Sequence, residues 1–217
     1  MKTILRTVVL GMAMAGVTGC NSLSGDALQT MKLAISGPES PVTIERVNAV
    51  NGPALSARLG AAEAMLVSNG AATGLVEWYG ITEMLLTQHG RVIQSAGLPS
   101  DFIAPLVAGD PFNEGLLNVT DGFEITRQVD YPAQYLTGLR QHARYKRGPV
   151  EAVEYMGQRH MLQRVDEHIR MPELGFKATN HYWLEPDTGL VRRSTQYIAP
   201  DLPPLHLTLL KTTGGQP

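Results

Sequence analysis

At 217 residues, with 43% hydrophobic and 18% charged side chains, the chain suits one domain that buries roughly 70% of its unfolded surface, and it is too apolar for disorder. Eighteen basic against 20 acidic residues give −2 and no polybasic tail, which sets aside a general nucleic-acid binder. A single cysteine excludes a disulfide framework and any multi-cysteine zinc site.

Residues 1–19 have the layout of a secretory signal peptide. Lys2 and Arg6 form a short positive region, Thr7 to Val17 carry no charge, and small residues follow. That stretch is too short for a stable transmembrane helix, and no later segment approaches 18 consecutive apolar residues. Val17-Thr18-Gly19-Cys20 resembles the bacterial lipobox, whose cysteine is lipid-modified before cleavage. The only cysteine stands where lipidation needs it. Two or more acyl chains anchor stably where one binds only marginally, and Asn21 after the cysteine favours the outer membrane by the lipoprotein sorting rule. Cleavage removes Lys2 and Arg6, leaving a mature net charge of −4. The expected organisation is a signal peptide at 1–19, a lipidated tether at 20–25, and a single β-rich periplasmic domain at 26–217.

Ser24 or Asp26 can cap a short helix over residues 26–36, which Gly37-Pro38 ends. Short strands with turn residues between them then follow at intervals of about ten residues. Val42–Val50 and Ala54–Leu59 flank Asn51-Gly52. Ala62–Ser68 and Gly74–Tyr79 flank Asn69-Gly70. Glu83–Gln88 and Arg91–Ala96 flank His89-Gly90. Pro99 to Gly122 breaks the rhythm and predicts a loop with one helical turn near Phe102–Val107. Strands resume at Phe123–Val129, Leu136–Lys146 and Val150–Tyr155. The pattern over 158–171 fits helix or strand. Ala178–Leu184 and Leu190–Ile198 form a hairpin closed by Glu185 to Gly189, with Gly189 left-handed. Leu205–Leu210 is a last strand. The predicted fold is mainly β: an antiparallel β-sandwich or barrel-like body with a short N-terminal helix.

Motifs for chemistry are scarce. The six histidines (His89, His142, His160, His168, His181 and His206) form no H-E-x-x-H motif, and no G-x-S-x-G elbow, P-loop, G-x-G-x-x-G or calcium loop occurs. Glu185 and Asp187 sit in a hairpin turn, where such residues commonly serve the backbone. No catalytic residue, metal site or cofactor is assigned. One charged feature stands out: on a strand, Arg140, His142, Arg144 and Lys146 project to one side. They offer a cationic strip to an anionic glycan or acidic partner, or they merely solvate an edge strand. Trp78, Trp183, Tyr79, Tyr182 and Tyr197 can stack on sugar rings, but aromatics in strands more often pack the core.

Several strings, taken in order, carry a family resemblance: Ala64 to Gly70, Trp78, Gly90 to Asp101, Ala143 to Gly148, Asn180 to Val191 and Arg193 to Ile198, with the lipobox cysteine ahead of all of them. Together they resemble the YjbF-type family of outer-membrane lipoproteins, which includes the group 4 capsule lipoprotein. His89 departs from the Asp or Asn expected at its turn, and Arg192-Arg193 replaces a more aromatic pair. The resemblance implies an antiparallel β protein, with 158–171 a strand, anchored in the outer membrane and facing the periplasm. It also implies partnership with a large outer-membrane β-barrel and a periplasmic companion of a polysaccharide export system, and it transfers no catalytic motif. The expected function is non-enzymatic assistance in assembling or secreting an exopolysaccharide or capsule-type polymer, by binding or scaffolding. A direct glycan-binding module is the alternative, and a polysaccharide-modifying enzyme ranks last.

Overall fold

The computed structural model describes residues 42–72 and 74–212. The signal segment, Cys20, the tether and the helix expected over 26–36 lie outside the described residues. The described chain begins with a short helix, α1 (Ile44–Ala49), where the sequence suggested a strand. Thr43 caps it by accepting a hydrogen bond from the Arg46 amide at 3.3 Å. Apolar residues at Ile44 and Val47 then follow helical rather than alternating spacing, and Val47 is fully buried.

Six strands follow: β1 (Ala54–Leu59), β2 (Ala62–Val67), β3 (Ala71–Ala72), β4 (Leu75–Tyr79), β5 (Met84–Gln88) and β6 (Arg91–Ala96). After a long connection containing α2 (Pro111–Glu114) come β7 (Glu124–Tyr131), β8 (Leu136–Tyr155), β9 (Gln158–Met171), β10 (Phe176–Leu184), β11 (Val191–Gln196) and β12 (Leu205–Lys211). All pair antiparallel in one sheet, ordered β6-β5-β4-β2-β1-β12-β11-β10-β9-β8-β7, with β3 alongside β4. The chain therefore starts mid-sheet, works out to β6, crosses to the opposite edge at β7, and returns so that β12 pairs with β1.

The sheet curls, and its two edges are stitched together. Ile103 pairs with Gln94 of β6 on one side and Asp130 of β7 on the other. The Ala104 amide donates to Ile93 O at 2.7 Å, and the Ile103 and Asp130 amides donate to each other's carbonyls at 3.0 and 2.9 Å. Residues 102–104 are thus extended, and the helical turn expected near Phe102–Val107 forms instead at α2. There Asp110 caps and Pro111 takes the first position. Residues 102–104 thus pair with part of each edge, β6 at residues 93–95 and β7 at Asp130, and reduce the unpaired backbone that an open sheet presents there.

Other departures are local. Asn51-Gly52 joins α1 to β1 rather than turning a hairpin. β2 and β4 meet only at Val67 and Tyr79, because β3 occupies part of the expected hairpin. The two strands expected at 136–146 and 150–155 are a single 20-residue strand, with a register shift between Arg147 and Val150 that absorbs Gly148-Pro149. Residues 158–171 are strand β9. His89-Gly90 does close the β5–β6 hairpin, with φ of 50° and 84° that suit a type I′ turn. Gly189 is left-handed at φ 73°, as its turn requires.

Inside the curl, one large apolar cluster gathers Leu55, Leu66, Trp78, Leu85, Val92, Phe102, Val129 and Leu207. A second gathers Phe112, Tyr145, Val165, Ile169, Tyr182 and Leu184. Charges are buried beside the second. Arg127 of β7 is fully enclosed, and its guanidinium donates to Asp110 Oδ2 at 2.7 Å, Asp110 Oδ1 at 3.0 Å and Glu167 Oε1 at 2.7 Å. It also donates to the Tyr145 hydroxyl, which passes a hydrogen bond to Glu167 at 2.8 Å. Asn180 and Tyr182 donate to the other Glu167 oxygen at 2.8 and 3.1 Å. Arg91 of β6 lies 3.8 Å from Glu167 and donates to Gln141 at 2.8 Å. Two arginines face two carboxylates, so the buried charge balances.

Burial pushes the Glu167 carboxyl upward, but Arg127 and Arg91, with hydrogen bonds from Asn180 and Tyr145, overturn that and lower it to about 2. The folded value lies below the unfolded one. This stabilisation is therefore complete above about pH 4.3 and is lost as pH falls towards 2, at a scale of about 3 kcal/mol. In urea unfolding, the wild type should lose about that much more stability than Glu167→Gln between pH 4.5 and 2. Arg127→Met leaves two carboxylates buried and should cost about 3–5 kcal/mol at pH 7. Equal acid sensitivity of wild type and Glu167→Gln would show that Glu167 ionises normally.

Candidate functional site

Register decides what the outer face presents. On β8 the inward residues Gln141, Ala143 and Tyr145 are buried, so Arg140, His142, Arg144 and Lys146 share the outer face, as the alternation predicted. β9 adds residues that strand parity alone did not bring to this face. Arg170 stands opposite His142, and His168 opposite Arg144. On the other side β7 places Thr126 opposite His142 and Glu124 opposite Arg144.

These side chains line a shallow groove of about 550 Å³, formed by Glu124, Thr126, His142, Arg144, His168 and Arg170 with the adjoining backbone of Ile125 and Ala143. Both histidines are oriented by threonines: His142 Nδ1 lies 2.9 Å from Thr126 Oγ1, and His168 Nδ1 lies 2.9 Å from Thr179 Oγ1. Each ring thus keeps Nε2 outside that contact. Arg144 approaches Glu124 only loosely, at 3.8 Å, and both are well exposed. Arg170 has no ion pair among the described residues. The groove therefore carries two arginines and two histidines against one glutamate. It suits anions and is too open to exclude water.

The rest of the strip is mixed. Arg140 Nε donates to Glu173 Oε1 at 2.8 Å, beyond the groove, and that hydrogen bond lowers the Glu173 pKa. Lys146 stands opposite Asp166, which is itself held by Arg164 at 3.0 Å and His181 at 2.7 Å. So the structure brings His142 and Arg144 into the groove and leaves Arg140 and Lys146 flanking it. Trp78 is buried and donates to Thr87 at 2.9 Å, and Tyr182 belongs to the core. Trp183 faces outward but is engaged. The distal part of the β8–β9 hairpin leans over it with Val153, Tyr155 and Leu162, and its indole donates to Glu151 at 2.8 Å. A stacking platform for sugars is therefore not assembled from Trp78, Tyr182 and Trp183; Tyr197 packs against the second apolar cluster, and Tyr79 is exposed. Among the described residues, no group of three or more His, Cys, Asp or Glu is placed to hold a metal ion.

The family described as Group 4 capsule polysaccharide lipoprotein gfcB, YjbF, matches residues 27–210. The chain belongs to this family. Its members are lipoproteins associated with capsule polysaccharide. Among solved structures, the lipoprotein YmcC from Escherichia coli K12 matches with a TM-score of 0.69 at 18% identity, covering 86% of this chain and 96% of that one. The likeness shows a shared fold. An exported protein with a YmcC-like fold from Bacteroides fragilis and a lipoprotein from Parabacteroides distasonis each match at 11% identity and a TM-score of 0.33. They cover 72% and 74% of this chain, and 92% and 94% of their own. No curated protein is a significant match to the sequence.

Because the groove arginines are exposed and the loose pair of Arg144 with Glu124 is screened by solvent, Arg144→Gln and Arg170→Gln should leave the urea midpoint within error of wild type. A midpoint loss approaching that of Arg127→Met would assign them a structural role instead.

Proposed function

We propose that this protein is an outer-membrane lipoprotein, anchored through Cys20 and facing the periplasm, that assists assembly or secretion of an exopolysaccharide or capsule-type polymer. It acts by binding and scaffolding rather than by bond-breaking chemistry, alongside an outer-membrane β-barrel and a periplasmic companion. The observation that carries this reading is membership of the capsule-polysaccharide lipoprotein family over residues 27–210. The groove on β7–β9 supports it physically: an exposed, cation-rich surface on a rigid sheet suits a persistent contact with an acidic partner or polymer.

A second reading, direct glycan binding, draws on Arg170 and the two threonine-oriented histidines. Hydrogen-bonding groups without acidic partners are free to meet a carboxylate-bearing sugar.

The test compares a clean deletion with strains carrying wild type, Cys20→Ala, or Arg144→Glu with Arg170→Glu, quantifying polymer at the surface and in the periplasm. The deletion should lower surface polymer and raise periplasmic polymer. Cys20→Ala should resemble it if the anchor is required, and the charge-reversed pair should impair export while the protein accumulates normally. Unchanged pools in the deletion, under conditions where polymer is made, would contradict the export role.

A further inference from the structure

A second cationic cluster lies on the outer face, four strands from β8 across the sheet. Register puts Arg58 of β1 directly opposite His206 of β12, and His206 opposite Thr195 of β11. Arg193 of β11 pairs with Thr208 of β12, two residues further along. With strands about 4.8 Å apart, Arg58 and Arg193 flank β12 from strands about 10 Å apart and share its outer side with His206. The core confirms the facing: Leu205 and Leu207 point inward from β12, and Ser194 and Gln196 are buried on β11.

Arg193 and His206 both feel the positive charges beside them. Burial and the neighbouring Arg58 lower the Arg193 pKa. Burial, Arg58 and Arg193 likewise lower that of His206. Arg193 makes one long contact, Nε to Thr208 Oγ1 at 3.5 Å. His206 Nδ1 is taken by Thr195 Oγ1 at 3.0 Å, which leaves Nε2 outside that contact. Among the described residues neither Arg58 nor Arg193 has an ion pair. The surrounding carboxylates are committed elsewhere. Glu63, opposite Arg58, accepts from Ser56 at 2.9 Å. Glu151 accepts from Arg164 and from Trp183, whose strand position is opposite Arg193. Asp166 is held by Arg164 and His181.

A fold gains little by gathering two guanidiniums and an imidazole on one face, Arg193 and His206 half-buried and Arg58 exposed, with none of the three in an ion pair among the described residues. It gains affinity when an oxyanion completes the set, because charge-assisted hydrogen bonds from fixed donors are among the strong ones. We propose that Arg58, Arg193 and His206 form a binding site for a single carboxylate or phosphate of an anionic ligand. The site is separate from the β7–β9 groove and does not depend on the export role.

The test uses the protein purified from membranes in detergent, with the His206 ring followed by NMR. Trigalacturonate, inorganic phosphate and neutral maltotriose are the probes. The expected result is a saturable His206 shift with trigalacturonate, with phosphate, or with both, and none with maltotriose; the two anions separate a uronic-acid source from a phosphate source. Arg58→Gln and Arg193→Gln should each weaken binding at least tenfold, whereas Arg144→Gln leaves it unchanged. Thermal melts give a second readout: without anion Arg193→Gln should melt no lower than wild type, and anion should raise the wild-type midpoint but not the variant's. No saturable shift with either anion, or equal affinity in the Arg58 and Arg193 variants, would overturn the site.

Discussion

Everything on the outer face depends on a charge that is not there. Arg127, fully enclosed, joins Asp110 at the start of α2 to Glu167 in β9. Through Tyr145, Asn180 and Tyr182, the Glu167 carboxylate is tied to β8 and β10 as well. An isolated buried ion would be prohibitively costly, and a buried pair is stabilising only when its remaining hydrogen-bonding capacity is met. For Arg127 and Glu167 it is met: Arg127 reaches two carboxylates and a hydroxyl, and both Glu167 oxygens are occupied, while Arg91 Nε beside them has no hydrogen-bond partner among the described residues. The cluster fixes how the long connection docks against β7–β10. That connection also supplies residues 102–104, which join the sheet's edges. Curl, edge closure and the display of β7–β9 are consequences of one arrangement.

The same strands therefore present two opposed chemistries. Inward, β8 and β9 place Tyr145 and Glu167 in a dry, charge-balanced interior. Outward, one residue along, they place Arg144 and His168 in an open groove with excess positive charge. A period of two makes this separation strict, because a slip of one residue would bring Arg144 inward and expose Glu167. The interior network thus holds the register on which the outer groove depends.

Much of this was legible in the sequence, and the failures have physical causes. Turns with a strong backbone demand were read correctly: His89-Gly90 and Glu185 to Gly189 both adopt left-handed positions at their glycines. Asn51-Gly52 misled because Thr43 and Glu45 already favour a helix ahead of it, and Pro53 cannot donate to a ladder. The strip from Arg140 to Lys146 was visible because parity within one strand is a local property. Its partners Arg170 and His168, and the pairing of Arg58 with His206, depend on register between strands, which a single sequence does not state. The ion cluster leaves only a faint signal in the sequence. Arg127 shares parity with Val129 and Tyr131, and Glu167 with Val165, Ile169 and Met171, so each is a charge in an otherwise apolar inward row. Opposite charges in two such rows are what a buried pair looks like in sequence.

The central physical claim is that the Arg127 cluster holds the connection and the edge closure in place. Native-state hydrogen exchange of Arg127→Met against wild type tests it most directly, residue by residue. The account predicts that the amides of Ile103, Ala104 and Asp130, and those of β7, lose protection well beyond any general loss, while β1, β12 and the β4–β5 pair stay protected. Uniform loss across the sheet, or undiminished protection at Ile103 and Asp130, would contradict it.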